Sequence, residues 1–263
     1  MNNTFRATAR LVAVLLLTSI GSLASAQEQL DLDGPEMGGA QENASNPLAA
    51  VSNTDVRWQY FDNLLGRGRL NDYFVDGAFM VNPKLKVKYE LHYWETNITG
   101  RSESDVERAL VKLIYFPKQG ILSSGTKYRL AIGMDYINDF DHQDKGIGQG
   151  ADQIAPFVGI ALGLKSGTTL IPLLQQFVDV SGVDVNITAA RLIALQPLPG
   201  NAWIKLDAKV PYDWENDTLP VDVELQYGIN FNKTFALYVD GKAGIGGDKL
   251  YDWAAGIGLR FKY

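Results

Sequence analysis

The chain of 263 residues contains no cysteine and only two histidines, His92 and His142. The absence of cysteine excludes disulfides and a lipid anchor on a cysteine, and it fits an oxidising compartment. The two histidines lie far apart in sequence, and the carboxylates are not clustered at ligand spacing. We therefore expect no metal site and no cofactor.

Beyond the first 26 residues the sequence also lacks an apolar run long enough for a transmembrane helix. The most apolar later stretch, residues 154–164, holds Pro156, Gly159 and Gly163 and has about half of the ~20 residues that a spanning helix needs. Basic residues form no dominant stripe, and the formal net charge is −6. A nucleic-acid partner is therefore not expected.

The first 26 residues have the organisation of a secretory signal peptide. Arg6 and Arg10 precede an apolar run from Leu11 to Leu23, and the small residues 24–26 follow it. We predict cleavage after Ala26 and export from the cytoplasm. Residues 27–54 are acidic and rich in Gly, Ala, Asn and Ser without an apolar period, which predicts a disordered periplasmic leader.

The last thirteen residues alternate strictly between apolar and small or charged side chains. The apolar set continues from Tyr251 and Trp253 through Leu259 and Phe261 to Tyr263, which places it on one face of a β-strand. This ending resembles the C-terminal signature of Gram-negative outer-membrane β-barrel proteins. The resemblance implies an outer-membrane location and an insertion signal formed by Trp253, Leu259, Phe261 and Tyr263, which the outer-membrane insertion machinery would bind.

Similar alternation from residue 55 onward predicts one domain, residues 55–263, an all-β, antiparallel, up-and-down transmembrane β-barrel of about 12 strands. Both chain ends then lie at the periplasmic side, where the short connections fall. A soluble β-sandwich has the same period, so alternation alone does not exclude it. The predicted strands are 56–62, 72–81, 84–96, 106–117, 126–137, 153–164, 168–178, 183–195, 201–210, 220–231, 234–245 and 250–263.

Three features do not fit a regular barrel. Pro156 and Pro172 lie inside predicted strands, where each removes a ladder donor. Arg191 falls on the predicted lipid face near the periplasmic end. Aromatic residues, by contrast, fit two girdles at the membrane interfaces. The outer girdle is predicted from Tyr93, Tyr136, Tyr251 and Trp253, and the inner one from Tyr115, Tyr128, Phe231, Phe235, Phe261 and Tyr263.

The polar faces of the strands predict a charged lumen with cations gathered in its periplasmic half. Such charges would select among ions and solutes in a narrow pore. Alternatively, they pair with Asp76, Asp135, Asp207, Glu224 or Asp240 and close the lumen. The predicted solute path is Lys84, Lys86, Lys88, Glu90, His92, Lys112, Lys127, Arg129, Lys205, Asp207, Glu224 and Arg260.

These patterns predict a channel for passive passage of small polar, anionic or aromatic solutes. The residues Leu225-Gln-Tyr-Gly-Ile and Gly258-Leu-Arg-Phe261 are similar to the end of transporter-like barrels associated with phenol-degradation operons, which implies uptake of small aromatic molecules. Two alternatives stay open: a closed structural or interaction barrel with acidic surface loops, and a lipid-modifying enzyme. No Gly-x-Ser-x-Gly motif supports the enzyme. Expected partners are outer-membrane lipid, lipopolysaccharide and a small solute.

Overall fold

The computed structural model of the chain describes residues 43–263, so the predicted signal peptide and residues 27–42 of the predicted leader lie outside the described residues. The described chain forms twelve β-strands. The strands are β1 (Asn53–Leu64), β2 (Gly68–Asn82), β3 (Leu85–Thr96), β4 (Glu103–Ile121), β5 (Lys127–Asp139), β6 (Ala151–Gly163), β7 (Thr169–Gly182), β8 (Asn186–Leu198), β9 (Ala202–Asp213), β10 (Val221–Asn230), β11 (Phe235–Ile245) and β12 (Trp253–Lys262).

Each strand pairs antiparallel with its neighbours in sequence, and β1 pairs with β12, so the sheet closes into a barrel. Closure runs through pairs such as Val56 with Leu259 and Trp58 with Ile257. The predicted twelve-stranded, antiparallel barrel is therefore confirmed. Residues 43–263 contain no helix with the length and apolarity of a membrane span.

Side chains alternate between an exposed outer face and a buried lumen. In β12 the exposed residues are Trp253, Ala255, Ile257, Leu259 and Phe261, whereas Arg260 is buried. Because both chain ends of the barrel lie at one rim, we call that rim the terminal end and the opposite rim the loop end. Turns at the terminal end are short, and the connection 140–150 is the longest at the loop end.

The two prolines are accommodated in β6 and β7 without a change of register. The pairing of β6 with β7 is interrupted between Ile154 and Phe157 and between Gly159 and Leu162. After each interruption the pairing continues in the same register. Pro156 is exposed on the outer face. The prolines thus cost hydrogen bonds locally but do not end either strand.

Two aromatic residues of the lumen lie directly over glycines of a neighbouring strand. A Cβ atom at Gly228 would be 2.1 Å from the Trp203 ring, and one at Gly258 would be 2.3 Å from the Tyr238 ring. Trp203 and Tyr238 are each 1% exposed and pack with Leu195 and Ala236. Part of the lumen is therefore filled by rings that require glycine beneath them.

The last predicted strand begins too early. Residues 246–252 form a connection, and Tyr251 is 8% exposed, packed edge-on against Phe61 rather than facing outward. Alternation cannot locate a side chain that precedes the strand, so the placement of Tyr251 in the outer girdle is wrong. Tyr93, Tyr115, Phe231 and Tyr263 are exposed.

Candidate functional site

One side of the lumen wall, formed by β9–β12 and β1, is lined by buried charges in contact with each other. Arg260 donates to Asp55 from Nε at 3.0 Å and from Nη2 at 2.7 Å, and the Tyr238 hydroxyl donates to the same carboxylate at 2.6 Å. Arg260 is 5% exposed and Asp55 1%. A buried charge is tolerated when it is paired and hydrogen-bonded, as here.

The charge network continues across β9, β10 and β11. Lys205 Nζ lies 2.6 Å from Glu224, and Lys242 Nζ lies 3.3 Å from the other oxygen of that carboxylate. Asp207, which is fully buried, contacts Lys205 at 3.6 Å and accepts two bonds from Arg191 at 2.7 and 2.5 Å. This side of the lumen is therefore an interlinked set of ion pairs.

Arg191 was predicted to face lipid, and this prediction is wrong. Its pairing with Asp207 places it in the lumen, with Ile193 and Leu195 at 0% exposure on the same face. Leu192, on the opposite face, is 51% exposed. Because β8 carries apolar residues on both faces, the alternation of its side chains did not determine which face points outward.

A second charged group lies in β2–β4, where His92 is held between acidic side chains. His92 Nδ1 lies 2.9 Å from Asp72, its Nε2 lies 3.5 Å from Glu90, and its ring stacks on Phe74 with centroids 4.5 Å apart. A Ser–His hydrolase needs a nucleophile beside the imidazole. Both ring nitrogens of His92 face carboxylates instead, inside the lumen.

On the opposite side of the lumen, β4 to β8 carry an apolar cluster. Ile114, Phe116, Phe157, Ile171 and Ile193, contributed by β4 to β8, form a cluster with two alanines and with Leu48. Two cations border this cluster: Lys112 Nζ lies 5.1 Å from the Phe157 ring centroid, and the Arg129 guanidinium lies 5.5 Å from that of Phe116. We call the part of the lumen around this cluster the apolar half and the network on β9–β12 and β1 the charged half. Cation–π contacts link the cluster to charged side chains of β4 and β5.

Residues 43–50 precede β1 and lie inside the barrel, and we call them the inner segment. Its turns are set by asparagine: the Asn43 side chain accepts from the Ser45 amide at 2.9 Å and the Asn46 side chain from the Leu48 amide at 2.8 Å. Leu48 and Ala49 are 1% and 0% exposed. The predicted disorder of the leader therefore does not extend to these residues.

Three cationic side chains of the wall hold the inner segment. Lys86 Nζ donates to the Ala49 carbonyl at 2.7 Å, and Arg129 Nη1 donates to the Leu48 carbonyl at 3.3 Å. Arg260 Nη1 donates to Ser45 Oγ at 2.9 Å, and that hydroxyl donates to Gln226 at 2.9 Å. Three of the cations predicted in the lumen, Lys86, Arg129 and Arg260, therefore contact one short peptide.

The other residues of the predicted solute path lie in different surroundings. Lys112 pairs with Asp135 at 3.0 Å, and Lys88 lies 3.7 Å from Glu90. Lys127 is half-buried at the start of β5. Lys84 was predicted to point inward, but it is exposed in the turn between β2 and β3 because the strand begins one residue later. The inward direction of Lys84 therefore stays a prediction.

Sequence reasoning missed Asp55, Arg57 and Gln59 of β1 and the whole inner segment. Arg57 lies 3.4 Å from Asp240, and Gln59 donates to the same carboxylate at 2.7 Å. The polar residues Asp55, Arg57 and Gln59 stand at every second position, a pattern that predicts a strand face turned toward the lumen. The closely spaced Asn43, Asn46 and Pro47 were a readable turn signal within the supposed leader.

The acidic connection 140–150 at the loop end is organised around Asp139. Its carboxylate accepts from the amides of Asp141, Gln149 and Gly150 at 2.8, 2.6 and 3.0 Å. Lys145, in the single turn Gln143–Lys145, donates to Asp105 at 2.7 Å, and this hydrogen bond raises the Lys145 pKa. Asp139 of β5 and Asp105 of β4 therefore hold this connection in place.

The geometry defines a class: a twelve-stranded barrel with a charged lumen, the fold of outer-membrane porins. Comparison of the sequence with known protein families and with curated proteins finds no match.

Solved structures of the same fold do match. The NanC porin superposes with a TM-score of 0.62 at 10% identity, over 80% of this chain and 100% of that chain. An outer-membrane channel from Pseudomonas putida F1 gives 0.55 at 9% identity over 89% and 100%, and the KdgM porin gives 0.54 at 8% over 80% and 99%.

Proposed function

We propose that the protein is an outer-membrane channel for passive passage of small polar or anionic solutes. The observation that carries this proposal is the group of buried cations, Lys86, Arg129 and Arg260, whose donors point into the lumen at the terminal end. A charged wall in a closed barrel biases which solutes pass. In the outer membrane, the terminal end is the periplasmic mouth.

The fold neighbours support a channel in general terms. Two solved structures described as porins superpose on 80% of this chain. One KdgM porin structure is a complex with a disordered oligogalacturonate, an acidic saccharide. An anionic solute is consistent with the cations at the terminal end of our barrel.

Aromatic solutes belong to the same proposal because of the apolar half. Phe116 and Phe157 line it beside Arg129 and Lys112. A solute with an aromatic body and a polar head would contact both halves at once. This chemistry supports the expectation of small aromatic molecules better than a uniformly charged pore would.

Planar-bilayer recording of the mature chain, residues 27–263, tests the proposal. In a potassium chloride gradient we expect discrete steps and a reversal potential that shows chloride preference over potassium. A cation preference would contradict the anionic part. Silence of a folded barrel, both with the inner segment in place and with it displaced by Leu48→Lys, would contradict the channel itself.

A closed structural barrel is the second candidate, and a specific observation favours it. Asp135, Asp207, Glu224 and Asp240, four carboxylates expected to neutralise the lumen, are each paired with a cation. Such pairs fill space and remove free charge from the wall. The silent outcome above is the result that this candidate predicts.

A further inference from the structure

Two pairs of positively charged side chains stand in direct cross-strand positions on the lumen wall. Arg191 of β8 is paired in register with Lys209 of β9, and Lys88 of β3 is paired in register with Lys112 of β4. Side chains in such positions have Cβ atoms about 4.5–5.5 Å apart, and like charges there are destabilising. Each pair is therefore a place where a bound anion would relieve a repulsion between two fixed cations.

All four cations point into the lumen and are accessible from it. On β3, β4 and β9 the exposed apolar residues of the outer face alternate with Lys88, Lys112 and Lys209. The exposed fraction of the side chain is 31% for Arg191, 36% for Lys209, 19% for Lys88 and 17% for Lys112. The corresponding value is 6% for Arg260, which holds the inner segment. A solute in the lumen therefore reaches the two pairs more easily than it reaches Arg260.

The two pairs lie on walls that face each other. In the closed barrel, the three strands β5 to β7 separate β4 from β8, and five strands separate β9 from β3. Lys112 stands near the middle of β4, and Arg191 stands near the middle of β8. A solute that crosses the middle of the lumen would therefore pass between two cationic surfaces.

The ion pairs next to Lys209 carry an excess of positive charge. Three cations share two carboxylates there, which leaves one positive charge in excess. The cations are Arg191, Lys205 and Lys242, and the carboxylates are Asp207 and Glu224. Lys209 itself has its Nζ 3.9 Å from Asp222, and it is repelled by Arg191 and Lys242. An anion at this position would balance the charge of the wall.

Within each pair, one cation is held more tightly than the other. Arg191 and Lys112 each contact a carboxylate at 3.0 Å or less, whereas the distance is 3.9 Å for Lys209 and 3.7 Å for Lys88. Arg191 and Lys112 are thus fixed on the wall. Lys209 and Lys88 are the members of the pairs that can turn toward a ligand.

We propose that Arg191 and Lys209, together with Lys88 and Lys112 on the facing wall, form a binding site for a solute that carries more than one carboxylate or other oxyanion group. The proposal rests on the proposed channel function and names its solute class. One oxyanion group between the members of a pair accepts from both cations, and hydrogen bonds between charged partners are the strong ones. A solute with several such groups contacts both walls, so it is held in preference to a monovalent anion.

Calorimetric titration of the refolded mature chain, residues 27–263, with citrate tests the site in detergent micelles. Low ionic strength limits screening of the charges. Lys209→Gln and Lys88→Gln each remove the loosely held cation of one pair. The matched control is Lys233→Gln, exposed in the turn between β10 and β11, which removes the same charge outside the lumen. Heat-modifiable migration shows first that each variant is a folded barrel.

We expect citrate to bind the unmodified chain and Lys233→Gln equally, and to bind Lys209→Gln and Lys88→Gln at least tenfold more weakly. Acetate, which carries a single carboxylate, should bind the unmodified chain at least tenfold more weakly than citrate does. Without citrate, Lys209→Gln should raise the midpoint of thermal unfolding, because it removes the repulsion between positions 191 and 209.

Equal citrate affinity of Lys209→Gln and Lys233→Gln, or equal affinity for acetate and citrate, would overturn the site. A lowered unfolding midpoint of Lys209→Gln would assign Lys209 to Asp222 as a structural partner and would also overturn it. Chloride-selective conductance without citrate binding would leave the channel standing and remove the site. Citrate binding in a barrel that is silent in every state would establish the site and remove the channel.

Discussion

The two halves of the lumen are stabilised by different kinds of interaction. In the charged half, Arg260, Asp55 and Lys205 are fixed by paired charges and hydrogen bonds. In the apolar half, Ile171 and Ile193 are fixed by packing alone, at 0% exposure. Paired charges specify partners one by one, whereas packing specifies only volume.

This difference explains why the inner segment lies where it does. The Leu48 side chain packs in the apolar half, and the Ser45 hydroxyl is hydrogen-bonded to Arg260 and Gln226 in the charged half. The segment crosses the boundary between the halves at Arg129, which contacts both the Leu48 carbonyl and the Phe116 ring. Arg129 is therefore the residue at which the segment contacts both a polar donor and the apolar cluster.

Removing a cation from the charged half should cause the largest loss of unfolding free energy. Arg260→Met leaves Asp55 buried beside Tyr238 without its cation, and removal of one partner of a buried pair costs about 3–5 kcal/mol. Urea unfolding in detergent micelles measures the loss. The control is Arg101→Met, at a side chain that is 79% exposed, where the change should be below about 1 kcal/mol. Equal losses in the two variants would contradict the assignment of Arg260.

Truncating a side chain of the apolar half should cause a somewhat smaller loss of unfolding free energy. Ile193→Ala opens a cavity among Ile114, Phe157 and Ile171, with an expected loss of about 2–4 kcal/mol in unfolding free energy. Ile245→Ala, at a residue 48% exposed at the end of β11, serves as the matched control and should lose less than half as much. An unchanged unfolding free energy in Ile193→Ala would mean that the apolar half is loosely packed.

The aromatic filling of the charged half can be tested from the glycine side. Gly228→Ala places a methyl group 2.1 Å from the Trp203 ring, and the ring or the backbone must shift. Overpacking of this kind costs about 1–3 kcal/mol. Gly241→Ala meets no atom within 4 Å and should leave thermal unfolding unchanged, so equal melting temperatures would contradict the close packing.

The smallest effect is expected at the loop end, outside both halves. Hydrogen bonds from Lys249 and Asn63 hold the pKa of Asp252 below its ordinary value of 3.8. Lys249→Met should raise that pKa toward the ordinary value, measured by NMR titration of the carboxyl, with almost no change in stability.

The sign of the pH dependence follows from the direction of the shift. A folded-state pKa below the unfolded value gives a stabilisation that is present above the unfolded pKa and is lost as the pH falls through the folded pKa. For Asp252 this window lies below pH 3.8. Unaltered titration of Asp252 in the variant would exclude Lys249 as the cause.

The barrel itself was readable from sequence because period-two alternation and turn residues follow directly from strand geometry. All twelve predicted strands overlap observed ones, with errors of a few residues at their ends. The charged side chains Lys86, Lys205 and Glu224 were placed in the lumen for the same reason. Arg191 and Tyr251 were misplaced because β8 is apolar on both faces and residues 246–252 are not a strand.

The inner segment could not be read as part of the lumen. Its composition resembles a solvated linker, and only the closed barrel provides Lys86, Arg129 and Arg260 as partners for its carbonyls and hydroxyl. These contacts join residues 37 to 215 positions apart in sequence. Local pattern carries no information on such contacts.

Conductance of Leu48→Lys against Leu122→Lys tests the central claim most directly. Leu122 is 46% exposed in the turn between β4 and β5, so the same substitution there leaves the lumen untouched. Lysine at position 48 places a third cation beside Lys86 and Arg129 and should expel the inner segment. We predict at least a tenfold rise in mean conductance for Leu48→Lys and none for Leu122→Lys. Equal conductance of the two variants would contradict the prediction that residues 43–50 obstruct the lumen.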